Sequence, residues 1–258
     1  KRIKTFGLNK LKNLFMVFLF NFAVKKFNSP KSILIIDEFF DSYIDNSKIL
    51  NKSREKILLI NDVGEVNVVK NNKNTFSKSN SLKILVYGSL SAKKGIEQLL
   101  KSVFEQEFNF NIEIMFAGIP DDEVNELLKK FNSTKKVNLI KHLEYVTQKL
   151  ETELFCSCNI VWMGYSKTFL QSSGVLYQAW SAGKPVIASS HGLIGHRVKQ
   201  SNAGILVDID KSIEIREAIN FFSQDVLKYR SLVKNAVVAG KKYTKKTFIN
   251  SLLDSIYE

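Results

Sequence analysis

Residues 83–100 read KILVYGSLSAKKGIEQLL, and the fold turns on how this stretch is parsed. Residues 83–87 have the length and composition of a buried strand, Gly88 and Gly95 bracket a loop, and Ile96, Leu99 and Leu100 recur at helical spacing. Strand, glycine-bounded loop and helix make the opening of a βα unit. The same alternation continues downstream. Short apolar runs at 83–87, 112–117, 137–140, 159–163, 185–188 and 205–207 predict six strands, separated by helical segments at 94–107, 121–131, 147–157, 172–182 and 194–200. A tail over 212–258 reads as two or three more helices. Strands that alternate with helices close into a parallel sheet, so the expectation is an α/β chain with a doubly wound, Rossmann-like sheet.

In such a sheet ligands bind beyond the carboxyl ends of the strands where the winding reverses, between the first and fourth strands in the common six-strand order. Two loops are thereby singled out. The first, 88–95, has a glycine at each end and Lys94 just before a helix, which suits close backbone approach to a phosphate followed by neutralisation; an ordinary strand-to-helix turn has the same composition. The fourth loop ends in Ser172, Ser173 and Gly174 at a helix start, where unpaired N–H groups, two hydroxyls and the dipole favour an anion, although serine there also serves as a cap. Neither the P-loop GxxxxGK[ST] nor the dinucleotide GxGxxG is present. The nucleophile elbow GxSxG of serine hydrolases is absent too. His142 follows the third strand on the ligand side, placed either to touch a base or sugar or to be a loop histidine without a role. His191 and His196 are five apart, outside the spacing of a helical metal pair, and no metal is expected. The only cysteines, Cys156 and Cys158, flank a single residue, a poor disulfide and an incomplete zinc site; they read as reduced thiols and suggest a cytoplasmic location.

Outward from this core, residues 70–81 (KNNKNTFSKSNS) are the best linker in the chain. Before it, runs at 32–36 and 56–60 read as strands buried on both faces, with a polar, helical stretch between them. Residues 8–27 form an amphipathic helix with a broad apolar sector, suited either to burial on two sides or to a membrane interface. Its apolar stretch, 14–24, falls short of the about 20 residues that a spanning helix needs. With 45% hydrophobic and 24% charged residues the chain is globular, and a net charge of +13 marks either a solvated lysine-rich surface or an anionic partner: nucleic acid, a membrane surface or nucleotide diphosphates. Lysines are spread along the chain without a nucleic-acid-binding motif, so nucleic acid is disfavoured.

These residues resemble a known family, the retaining group 1 glycosyltransferases of the GT-B type. Over about 82–258 the carriers are VYGSLSAKKGIEQLL, the FAG at 116–118, YQAWSAGKPVIASSHGLIGHRV at 177–198 and AGILV at 203–207. The resemblance implies a donor-binding domain over 81–258 and, over 1–80, a partial second α/β domain that is the remnant of an acceptor half, with the linker. The chain opens on Lys1 rather than methionine, and residues 242–258 would be the helix that crosses back to the acceptor half. Implied donor-site residues are Gly88, Ser89 and Lys94 at the diphosphate, with Ser172, Ser173 and Gly174, and Gln178 at the ribose. Two positions depart from the family pattern: Ser89 stands where arginine is usual, and Leu170 and Gln178 occupy the positions of an acidic pair whose second member typically binds the ribose. The implied activity is transfer of a sugar from a nucleotide diphosphate to a glycan or lipid-linked acceptor, with no cofactor or metal, in the cytoplasm or peripherally at the inner membrane face. The catalytic group belongs to the acceptor half, so no catalytic residue is assigned. The alternative is a non-catalytic nucleotide-sugar-binding or membrane-surface subunit of the same fold.

Overall fold

The computed structural model describes residues 22, 33–36, 54, 57–66, 81–105 and 107–257. Of the expected helix over 8–27 only Phe22, which is helical, falls within these, and of the expected linker only Ser81. Contacts divide the chain into two units, Lys1–Asn61 with Ile249–Glu258, and Asp62–Phe248. In the first unit β1 (Ile33–Ile35) and β2 (Ile57–Leu59) pair in parallel, Ile33 opposite Ile57, and the Ile60 amide donates to the Ile35 carbonyl at 2.8 Å. Burial on both faces, the expectation for these runs, is not met: Leu34, Ile36 and Leu59 are exposed. Among the described residues each three-residue strand pairs only with the other, and so short a sheet covers little apolar surface.

The second unit holds the six strands expected from the sequence: β3 (Ser81–Tyr87), β4 (Asn111–Ala117), β5 (Val137–His142), β6 (Ile160–Met163), β7 (Val186–Ser189) and β8 (Gly204–Val207). All pair in parallel, in the order β5-β4-β3-β6-β7-β8. Winding runs outward from β3 through β4 to β5, and outward the other way from β6 through β7 to β8, so it reverses where Ile84 and Leu85 face Ile160 and Val161. Side chains alternate across the sheet. Ile84 and Val86 enter one core with Leu99 and Leu100 of α1 (Ile96–Phe104), Val124 and Leu128 of α2 (Asp122–Lys130), and Ile215 and Ile219 of α6 (Ser212–Gln224). Leu85 and Val161 enter the opposite core with Phe155 of α3 (Gln148–Ser157), Leu176 and Trp180 of α4 (Gly174–Ser181), Val198 of α5 (Gly192–Ser201) and Ala236 of α7 (Val226–Gly240). Burial on both sides makes these strands read as continuous apolar runs, as in the fully buried IVWM of β6. A last helix, α8, spans Lys245–Tyr257.

Two helix starts differ from expectation, and both shape the ligand side of the sheet. Residues 92–94 form a 3-10 turn that ends at Gly95, in the left-handed region at φ 58°, so α1 begins at Ile96 rather than at Lys94. Only glycine fits there: a Cβ on residue 95 would lie 2.2 Å from the carbonyl oxygen of Gly164, in the loop after β6. Helix α4 begins at Gly174 because Ser173 is extended, at φ −140°. Lys184, fully buried, donates from Nζ to the carbonyls of Cys156 and Cys158 at 3.0 and 2.7 Å, where a cation suits the carboxyl end of α3. Burial pushes its pKa below the usual lysine value, and both cysteines are unpaired.

Candidate functional site

The loops after β3 and β6 meet at the winding reversal and bring three of the expected groups together. Lys94 is 8% exposed; its Nζ donates to the Tyr87 carbonyl at 2.6 Å and sits 5.3 Å from the centre of the Tyr165 ring. One ammonium hydrogen is thereby engaged and two are left for an anion. The lysine is held from behind, since Trp162 Nε1 donates to its backbone carbonyl at 2.7 Å. Gly88, at φ 89°, leaves a gap: a Cβ there would lie 3.6 Å from Lys94 Nζ and 3.4 Å from Val175 in the first turn of α4. That turn begins without a side-chain cap, because the Ser173 hydroxyl bonds Tyr165 Oη at 3.0 Å instead. Ammonium, permissive backbone and uncapped helix terminus thus converge on one point, and exposed N–H groups beside a cation favour an anion there over a cation.

Beside this point lies a cleft of about 690 Å³, whose lining includes Tyr87, Gly88, Ser89, Asp121, Tyr145 and Glu151. Tyr145 stands 79% exposed at the cleft. Glu151, in the first turn of α3, accepts at Oε1 from Tyr87 Oη at 2.7 Å and from Gln178 Nε2 at 2.8 Å. Burial first, and then the Glu151 carboxylate, push the Tyr87 phenol well above the usual tyrosine range, so it remains a donor. Gln178 therefore meets the cleft through Glu151. The sequence offered no sign of this: an acid one turn into a helix has a sufficient role with the helix dipole.

Ser172 is placed differently. Its hydroxyl lies 2.7 Å from Tyr177 Oη, donates to Asp62 at 3.1 Å and accepts from Arg197 Nη1 at 2.9 Å. Arg197 is buried, with its guanidinium 5.3 Å from the Tyr177 ring centre and 5.9 Å from that of Tyr243. Asp62 and Gly64, which precede the expected linker, join this network, the Gly64 amide donating to the Tyr243 carbonyl at 3.1 Å. His142 ends β5 opposite Ala117, and its carbonyl accepts from the Gly118 amide at 2.9 Å; it does not line the cleft. Among the described residues no three of His, Cys, Asp and Glu cluster so as to hold a metal ion, and no helix is long and apolar enough to cross a membrane.

Sheet order and helical layers define a domain of the GT-B glycosyltransferase type, as solved structures bear out. Anabaena Alr3699/HepE in complex with UDP and glucose shares 15% identity at a TM-score of 0.65, over 88% of this chain and 63% of that one. Sucrose-phosphate synthase from Thermosynechococcus elongatus shares 16% identity at a TM-score of 0.65, over 88% and 58%. WaaG, a glycosyltransferase involved in lipopolysaccharide biosynthesis, shares 14% at 0.62, over 87% and 61%. The chain thus spans about six tenths of their length, and at such identities the likeness is one of fold. The family model for glycosyl transferases group 1 matches residues 68–238, about two thirds of the chain, and the chain belongs to that family. No curated protein sequence matches it.

Proposed function

We propose that this chain is the donor-binding part of a retaining glycosyltransferase that moves a hexose from a nucleoside diphosphate to a glycan or lipid-linked acceptor. The observation that carries this reading is the meeting of the Lys94 ammonium, Gly88 and the start of α4 at the winding reversal. The diphosphate is held there by two free hydrogens of Lys94 and the first N–H groups of α4, without a metal. Ser173 lies next to it through Tyr165, and Ser89 and the exposed Tyr145 ring line the space for the nucleoside. Charge developing at the sugar carbon is stabilised against the donor's own phosphate, which the cradle keeps in place. UDP is the leading base, since UDP and glucose are bound in the Anabaena structure of like fold. The acceptor and the group that orients it belong to the remaining length of the enzyme, working on the cytoplasmic side and, for a lipid-linked acceptor, at the membrane face.

Calorimetric titration with UDP, GDP and their sugar conjugates tests the reading. Saturable micromolar binding of one base is expected, and Lys94→Ala should weaken it at least about tenfold, the loss of one hydrogen bond to a charged group. Unchanged affinity in that variant would remove Lys94 from the site.

A further inference from the structure

We infer that Glu151 is the residue that selects ribonucleotides in this cleft, its carboxylate accepting hydrogen bonds from the ribose diol; this rests on the nucleotide-sugar reading above. Glu151 lines the cleft together with Gly88 and Ser89. Its Oε1 is occupied by the Tyr87 phenol and the Gln178 amide, whereas Oε2 has no hydrogen-bond partner among the described residues. Both of its partners are neutral donors, and among the described residues no lysine or arginine pairs with it. No cation is therefore set against Glu151 where it lines the cleft. A carboxylate only accepts, with about four lone-pair sites, and a vicinal diol supplies two donors to meet those left over. Acceptance of ribose hydroxyls by an acid at a winding reversal is a known solution in doubly wound sheets.

Tyr87 fixes the spacing between the two ends of the ligand. Its carbonyl accepts from Lys94 Nζ at 2.6 Å and its hydroxyl donates to Glu151 at 2.7 Å, so the cation and the carboxylate stand one tyrosine apart. A nucleoside diphosphate carries its phosphates and its diol in the same order. Gln178 and Tyr87 are positioning residues in this scheme: each donates to Oε1 and leaves Oε2 without a partner among the described residues. The same charge disfavours a second phosphate on the ribose.

The experiment compares UDP with 2′,3′-dideoxy-UDP, and GDP with its dideoxy analogue, by calorimetry on the wild-type chain, Glu151→Gln and Glu151→Asp. The wild type is expected to prefer the ribonucleotide by about tenfold or more. Glu151→Gln should reduce that preference at least about fivefold by weakening the ribonucleotide alone, and Glu151→Asp should fall between. Wild-type protein that does not discriminate overturns the inference without recourse to any variant. So does a Glu151→Gln variant that weakens both ligands equally or keeps the full preference, in which case diphosphate binding through Lys94 still stands. If neither ribonucleotide binds the wild type, the nucleotide-sugar reading fails first and the role of Glu151 falls with it.

Discussion

Ser172 and Ser173 are neighbours in one loop, yet they belong to different parts of the molecule. Ser173 bonds Tyr165, whose ring lies beside the Lys94 ammonium at the winding reversal. Ser172 is closed into a knot of Asp62, Tyr177 and the buried Arg197. Hydroxyls of equal chemistry thus divide between the surroundings of Lys94 and a closed network, and what divides them is the turn of the extended residue before α4. A buried arginine that hydrogen-bonds and faces two aromatic rings belongs to the framework, however polar it looks in sequence.

The largest expected effect lies on the closed side. Arg197→Ala removes a charged hydrogen bond and two cation–ring contacts, and denaturant unfolding should report a loss of about 2–4 kcal/mol. Nucleotide affinity in the folded variant should change by less than about threefold; a drop as large as that of Lys94→Ala would join the two regions and break the comparison. The two serines sharpen it. Ser172→Ala should cost about 1 kcal/mol of stability with affinity intact, whereas Ser173→Ala should leave stability nearly unchanged and weaken the nucleotide a few-fold. Reversed results would exchange their roles. The smallest effect belongs to Tyr87. In the unfolded chain its phenol ionises near 10.0, while in the folded chain it keeps its proton to higher pH. Above about pH 10 the unfolded state therefore binds fewer protons, and stability falls as pH rises. Tyr87→Phe should lack this contribution, so the gap between wild-type and variant stability should narrow on going from pH 8 to pH 11 in urea titrations.

The six central strands were legible to within a few residues because burial on both faces writes itself as an unbroken apolar run, and the winding reversal then follows from their number and order. That Gly88 and Lys94 fall in the loop between β3 and α1 was legible too, because glycine marks both ends of that loop. Exposure of Leu34 and Leu59 was not, because an apolar run does not say whether enough sheet surrounds it. Nor was Glu151, whose partners Tyr87 and Gln178 lie 64 and 27 residues away. Asp62 meets Ser172 across 110 residues, and it was read with the segment before the linker. Periodicity identifies an element and the face it buries; which polar side chains find one another is decided only once the elements are stacked.

The loops around the cleft touch backbone to backbone. A Cβ on Gly118 would lie 2.0 Å from the Gly88 carbonyl oxygen, as one on Gly95 would lie 2.2 Å from that of Gly164, and Leu90 and Pro120 bridge the same two loops further out. Anyone redesigning the cleft thus inherits a locked chassis: transplanting the loop after β3 without the loops after β4 and β6 would leave mismatched seams. Productive libraries will hold these glycines constant and diversify Ser89, Ile119 and Tyr145, which line the cleft without closing it.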